Sequence, residues 1–236
     1  MASRDDIAIE ITPEVLLKAY ACGIFPMAEA ADDPALYWIE PQARGILPLE
    51  ALHVPRRLAR TVRQGVYTVR YDTAFDDVIK GCGAERVGRQ TTWINEKIRK
   101  LYRALHDRGH CHSVEAWEGD KLVGGLYGVA LGGAFFGESM FSYARDASKV
   151  ALVHLCGRLI AGGFTLLDCQ FITDHLSQFG TIEIERPEFH EHLEAALRVT
   201  ANWHVMPNDA AGFEILEIIR KHQKPAAAPA EKIEFR

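Results

Sequence analysis

The sequence has little that would tie it to a membrane, a disulfide framework or a metal. No apolar run approaches the roughly 18 residues needed to cross a bilayer, and the first six residues include Arg4, Asp5 and Asp6, with no apolar leader core. A cytoplasmic protein with no membrane partner is expected. Five cysteines (Cys22, Cys82, Cys111, Cys156, Cys169) are odd in number, scattered and free of any C-x-x-C pair. That usage suits reduced thiols, so neither a disulfide framework nor a structural metal is expected. No G-x-x-x-x-G-K-[ST] is present. The stretch from Gly81 to Gly88 misses the third glycine of a dinucleotide fingerprint and follows a helical pattern rather than a strand. Ser148 and Ser177 have no nucleophile-elbow context, which argues against a serine hydrolase. An excess of positive charge is also missing: 27 Lys and Arg against 32 Asp and Glu give a net charge of −5. Taken as an average, that speaks against a nucleic-acid partner held by bulk charge.

What is present is an alternation of helical and strand patterns typical of an α+β protein. Thr12-Pro13 opens a helix that Gly23 closes. Residues 24–54 are proline-punctuated, with short strands around Tyr37-Trp38-Ile39 and Gly45-Ile46-Leu47. A second helix is predicted from Pro55 to Gln64, stopped by Gly65. From Val66 the elements lengthen, which places a domain boundary near Gly65: a small N-terminal domain (1–65), a main domain (66–222) and a low-complexity, disordered Ala/Pro tail (223–236). A strand at 67–71 leads into a helix opened by Asp72. Thr92 then caps a helix to about His106, and three runs (112–117, 122–131, 134–141) read as an antiparallel meander. A helix over 148–160, a strand over 165–171, a short helix at 175–179, a strand at 181–185 and a helix over 187–198 complete the pattern.

Three constellations carry possible chemistry. Gly124-Gly125-Leu126-Tyr127-Gly128 lies within a predicted strand, where glycines mark a bulge or the close approach of another backbone or a ligand. Asp168 and Gln170 in Leu166 to Phe171, and Glu138 in Phe135 to Phe141, interrupt apolar strands. A strand period of two puts Asp168 and Gln170 on one face. A carboxylate in such a setting must be paired or hydrogen-bonded, so each acid is either a capped, ion-paired structural group or part of a site. Charge, finally, is unevenly spread. Arg56, Arg57, Arg60, Arg63 and Arg70 fall between Ala51 and Tyr71, a stretch with no acid. Arg56, Arg60 and Arg63 share one face of the second helix opposite Leu58 and Val62, a one-signed face suited to phosphate. His110-Cys111-His112 offers two ligands but fixes no third, and His190-Glu191-His192 lies on a helix expected to be exposed.

Several segments, in order over residues 13–195, resemble the leucyl/phenylalanyl-tRNA–protein transferase family: Ala19 to Pro26, Trp38 to Arg44, Thr92-Trp93-Ile94, His112 to Trp117, Val123 to Gly128, Phe136 to Ser142, Ala147-Ser148-Lys149 and Asp168-Cys169-Gln170. The Gly-Glu-Ser-Met-Phe and Asp-Cys-Gln strings are the most specific. Ile39 stands where many members carry a second tryptophan. The resemblance implies a small N-terminal domain and a C-terminal GCN5-related acetyltransferase-like domain. It also implies transfer of Leu, Phe or less readily Met from aminoacyl-tRNA to the N-terminal Arg or Lys of a protein, which marks it for N-degron proteolysis. An aminoacyl-tRNA-dependent transferase with another amine acceptor is the alternative. No cofactor is implied: the acyl-CoA turn of acetyltransferases has no counterpart in Ser142 to Ser148, and the aminoacyl ester already carries the free energy. The resemblance gives Asp168, Gln170 and Glu138 as catalytic residues, with Asp168 polarising Gln170. Proton removal by Asp168, by water or by the terminal adenosine's 2′-hydroxyl stays open. Trp38 and Trp93 would stack on the adenosine, Leu126, Phe135, Ser139, Met140 and Leu152 would line the aminoacyl pocket, and Arg56, Arg57, Arg60 and Arg63 would hold tRNA. A monomer is expected.

Overall fold

The computed structural model describes residues 11–31, 33, 35–84 and 92–223. In chain order the elements are α1 (Pro13–Ala21), β1 (Phe25–Met27), β2 (Tyr37–Ile39), β3 (Ala43–Ile46), α2 (Arg56–Arg63), β4 (Thr68–Tyr71), α3 (Phe75–Gly83) and α4 (Glu96–Asp107). They continue with β5 (Cys111–Glu118), β6 (Lys121–Leu131), β7 (Ala134–Ser142), α5 (Ala147–Ala161), β8 (Leu166–Gln170), α6 (Asp174–Ser177), β9 (Ile182–Glu185), α7 (Arg186–Leu197) and α8 (Gly212–His222). The architecture is mixed α/β. β1 and β2 form a small ribbon, and the other seven strands form one sheet in the order β4-β5-β6-β7-β8-β3-β9. Every pairing in that sheet is antiparallel except β7 with β8.

Strand alternation sends each sheet face into its own core. On β7, Phe136 packs with Leu16, Tyr20, Phe75 and Tyr102 of the α1, α3 and α4 side. Its neighbour Phe135 packs with Leu58, Leu152 and Ile215 of the α2, α5 and α8 side. Leu166 and Leu167 on β8 divide in the same way. On the N-terminal side of Gly65, where the sequence suggests a boundary, the chain supplies β3 to the large sheet between β8 and β9 and packs α2 on α5 and α8.

Local punctuation explains most boundaries. Thr12 accepts a hydrogen bond from the Val15 N–H at the start of α1, and Gly23 and Gly65 adopt the left-handed φ that closes their helices. Two expected caps are corrected. Asn95, not Thr92, caps α4, its Oδ1 accepting from the Ile98 N–H at 2.8 Å. Asp72 does not open α3: at φ 58° its carboxylate accepts from the Ser113 N–H, the Trp203 Nε1–H and the His112 ring. The entry to α3 is instead held by Glu115 of β5, which accepts from the N–H groups of Thr73 and the N-cap residue Ala74 at 2.9 Å each. The Ala/Pro tail from residue 224 and the Glu85 to Gly88 part of the glycine stretch lie outside the described residues.

Candidate active site

β7 and β8 pair only over Ala134 to Phe136 against Leu166 to Asp168. Beyond that point β7 stays with β6 while β8 stays with β3, where Gly45 faces Gln170. The two parallel strands thus splay apart, and a cavity of about 470 Å³ opens between them. That size is in the range of small-ligand sites. Its wall is mostly apolar: Leu126, Met140, Leu152, Leu155, Leu167 and Leu176 from the α5 side, and Phe25, Met27 and Trp93 from the other. Glu138, Ser139, Gln170 and His175 supply polar groups.

The glycines of β6 help to shape this wall. The β6–β7 register passes from Tyr127 opposite Ser139 to Gly128 opposite Gly137, so Glu138 is the unpaired residue of a bulge. A Cβ on Gly128 would lie 2.3 Å from the Phe136 carbonyl oxygen, so only glycine lets the bulge seat. A Cβ on Gly124 would come within 2.6 Å of Ala147 Cβ, the point where α5 approaches the sheet. The bulge and close-approach reading of these glycines holds.

Glu138 lies deep in the molecule yet opens on the cavity. Its Oε1 is 2.7 Å from the Tyr20 hydroxyl and its Oε2 2.8 Å from that of Tyr102. The two hydroxyls are 2.5 Å apart. The Gln170 Nε2 reaches Oε1 at 3.4 Å. Burial pushes the Glu138 carboxyl up to about 7, against the two tyrosine hydrogen bonds, with Asp168 adding to the rise and Arg44 opposing it.

Asp168 is fully buried and does not line the cavity. Arg44 of β3 clasps it in a two-point fork, Nε to Oδ1 at 2.9 Å and Nη2 to Oδ2 at 2.7 Å, while Nη1 donates to the Gly23 carbonyl at 2.9 Å. The guanidinium lies between the rings of Phe25 and Phe189, 4.7 and 4.4 Å from their centroids. Asp168 Oδ1 also accepts from the backbone N–H of Gln170 at 2.9 Å. Gln170 itself sits at φ 57°, a left-handed conformation uncommon outside glycine. The carboxylate therefore holds the backbone that aims the Gln170 amide, and touches no part of that amide.

The structure brings Gln170, Glu138, Trp93, Leu126, Ser139, Met140 and Leu152 to one cavity. Phe135, expected at the pocket, is core: it stacks on Trp203 at 5.6 Å and is absent from the lining. Trp38 stands exposed on β2, opposite Pro26 of β1, and is not part of the lining. Arg56, Arg57, Arg60 and Arg63 are exposed on α2 over buried Leu58 and Val62. α2 packs against α5, whose Ser148, Leu152 and Leu155 line the cavity. Sequence reasoning gave no site role to Arg44, Tyr20, Tyr102 or His175. The rule that a buried carboxylate needs partners foretold groups of the first kind without naming them. His175 carries a buried Nε2 with no hydrogen-bond partner among the described residues. Among those residues no cluster of three or more His, Cys, Asp or Glu could hold a metal ion, and no helix is long and apolar enough to cross a membrane.

An apolar cavity between splayed strands, with an amide and a carboxyl on its wall, can accommodate a small apolar moiety beside polar groups. Residues 46–194 match the family model for leucyl/phenylalanyl-tRNA protein transferase, and residues 9–42 match that for its N-terminal domain. The chain is 60% identical over 222 residues to a leucyl/phenylalanyl-tRNA–protein transferase of Afipia carboxidovorans, covering 93% of this chain and 98% of the relative. It is 60% identical over 219 residues to the protein of that name from Nitrobacter winogradskyi (92% and 97% covered). Identity to the one from Caulobacter vibrioides is 58% over 208 residues (88% and 96%). The chain belongs to the leucyl/phenylalanyl-tRNA protein transferase family and is a transferase enzyme.

Proposed function

We propose that the protein transfers Leu or Phe, and less readily Met, from aminoacyl-tRNA to the N-terminal Arg or Lys of acceptor proteins, marking them for N-degron proteolysis in the cytoplasm. The observation that carries this reading is the apolar cavity with Gln170 and Glu138 on its wall. An apolar aminoacyl side chain fits between Leu126, Met140 and Leu152, and the reacting ester would lie beside the amide. A pocket that selects by apolar volume gains only about 1 to 3 kcal/mol per methylene, so overlap among Leu, Phe and Met follows.

The acceptor's α-amine, with an ordinary pKa of about 7.7 to 8.0, attacks the ester carbonyl; the amide C–N bond forms, the ester C–O bond breaks, and the terminal adenosine oxygen leaves and takes up a proton as the amine gives one up. The Gln170 side-chain oxygen accepts a hydrogen bond from that amine and orients it. Asp168 acts through Gln170 as a positioning residue: with both oxygens engaged by Arg44 and the Gln170 N–H, it leaves the amine's proton to water or to the adenosine 2′-hydroxyl. Glu138 attracts the cationic acceptor. Trp93 offers a face to the terminal adenosine, while Trp38, exposed on β2, would meet the nucleic acid outside the cavity. Arg56, Arg57, Arg60 and Arg63 form the phosphate-binding face. The reading includes a GCN5-related acetyltransferase-like catalytic domain over 66–222, an N-terminal domain over 1–65 and a monomeric enzyme.

Incubation with labelled Leu-tRNA and peptides beginning with Arg, Lys or Ala tests this. Label should pass to the Arg and Lys peptides and not to the Ala peptide. Equal transfer to Ala would refute the basic-acceptor specificity, and no transfer to any peptide would overturn the proposal.

A further inference from the structure

The hydroxyls of Tyr20 of α1 and Tyr102 of α4 and the two carboxyl oxygens of Glu138 on the β7 bulge close a ring whose three non-covalent sides are 2.5, 2.7 and 2.8 Å. Each side is of hydrogen-bond length, so three protons are needed to fill it. The two phenols bring only two. Both are completely buried, so water cannot reach between them, and burial raises both phenol pKa values well above the usual range, which keeps their protons in place. If both hydroxyls donate to an ionised Glu138, two phenol oxygens face each other at 2.5 Å with no proton between them. The Gln170 amide can add a donor to Oε1, yet it cannot bridge the tyrosines. A third proton on Glu138 closes the ring: the carboxyl O–H donates to Tyr102, Tyr102 to Tyr20, and Tyr20 to the other carboxyl oxygen. Each phenol oxygen then donates once and accepts once, and the carboxyl donates through one oxygen and accepts through the other.

We propose that Glu138 rests as a neutral acid in this ring, and that a cationic acceptor binds with release of that proton to solvent, Tyr20 and Tyr102 acting as positioning residues. The coupling rests on the acceptor reading above; the resting proton does not. Around the carboxyl stand Tyr127 of β6, Cys111 of β5, whose thiol is held well above its usual range by burial, and Asp168 of β8, which opposes a second negative charge. Arg44 of β3 is committed to Asp168 and so offers Glu138 only a distant attraction. An incoming ammonium or guanidinium supplies the missing positive charge, the ring opens, and the freed carboxylate faces the cation. Acceptor affinity thus depends on pH through a group that the empty enzyme keeps uncharged.

Infrared difference spectra of the full-length enzyme against Glu138→Gln, recorded across pH, test the resting state. Glu138→Gln can close the same ring through its amide N–H and serves as a folded reference. A protonated-carboxyl carbonyl band should be present at about pH 6 and lost as pH rises through about 7. A carboxylate already formed at about pH 6 would overturn the proposal. Tyr20→Phe and Tyr102→Phe should each move the midpoint, and an unmoved midpoint in both would remove the tyrosines from it. Calorimetry of an Arg-initiated peptide, in two buffers of different ionisation enthalpy at about pH 6, should show close to one proton released per peptide bound, and none with Glu138→Gln. Binding without release would refute the coupling. A peptide that does not bind at all would count against the acceptor reading, leaving the infrared result to decide the ring.

Discussion

Removing the guanidinium of Arg44 should cost far more than removing a surface charge, and the structure gives the size of the effect. In Arg44→Met the guanidinium between Phe25 and Phe189 is lost, Asp168 loses two charge-assisted hydrogen bonds of 2.9 and 2.7 Å, and Gly23 loses a donor to its carbonyl. The carboxylate is completely buried and retains only the Gln170 N–H. Breaking a buried pair from one side costs about 3 to 5 kcal/mol, because the surviving charge is uncompensated. That is a large share of the roughly 5 to 15 kcal/mol that holds a domain folded. The measurement is urea unfolding of the full-length protein, read as a lower midpoint at unchanged slope. Removing both partners in Arg44→Met/Asp168→Leu should recover most of the loss, since a well-packed apolar pair replaces a buried ion pair at little cost.

Turnover separates this pair's two roles. Because Asp168 holds the left-handed backbone of Gln170, the double variant should regain stability and still lack activity with Leu-tRNA. Arg44→Lys, which keeps the charge and loses the fork, should fall between wild type and Arg44→Met in stability. A loss below about 1 kcal/mol for Arg44→Met, the scale of an exposed pair, would refute the reasoning, as would a double variant no more stable than either single one.

Three further outcomes are expected. Glu138 has a folded-state pKa near 7 against 4.5 unfolded, so the folded protein holds the proton more tightly, and stability falls as pH rises from about 4.5 through 7; the difference is at most about 3 kcal/mol. Thermal unfolding across that window should show the slope in wild type and its loss in Glu138→Gln; equal slopes would remove Glu138 from the linkage. Gly128→Ala drives a methyl to within 2.3 Å of the Phe136 oxygen and should destabilise by about 1 to 3 kcal/mol with loss of activity, measured by denaturation and aminoacyl transfer; a neutral outcome would show that the bulge has room. Replacing Arg56, Arg60 and Arg63 together by Gln should weaken tRNA binding and flatten its salt dependence while changing stability by about 0.5 kcal/mol or less per site; an unaltered salt slope would place the tRNA elsewhere.

Most elements were legible because their signals are local. The Thr12-Pro13 start of α1, the glycine stops and the three-strand meander depend on neighbouring residues. The errors arise where a distant residue takes over a local task. Glu115 holds the entry to α3 from β5, which frees Asp72 to bind Ser113, His112 and Trp203. Strand alternation divides Phe135 from Phe136, yet by itself it does not say which of the two faces opens into the cavity; that depends on where β7 and β8 part, and Phe135 lies within the stretch where they are still paired.

The same limit explains the site. Spacing put Asp168 and Gln170 on one strand face, and the family resemblance implied that the acid polarises the amide. What the sequence could not show is that β3, 124 residues away, lies beside β8 and carries Arg44. Once that arginine occupies both carboxylate oxygens, the remaining connection between Asp168 and Gln170 is a backbone hydrogen bond, and it is made at the residue whose φ of 57° needs support. Glutamine at a left-handed position costs of order 1 kcal/mol or more, a strain that tends to persist where surrounding structure over-determines it. Here the Asp168 bond and the β3 pairing supply that support. Gln170→Gly should therefore leave the fold as stable as wild type or slightly more so while abolishing turnover, the conformational strain being relieved as the aimed amide is lost. A marked loss of stability in that variant would mean that the amide's contact with Glu138, rather than the held backbone, is what this corner of the sheet depends on.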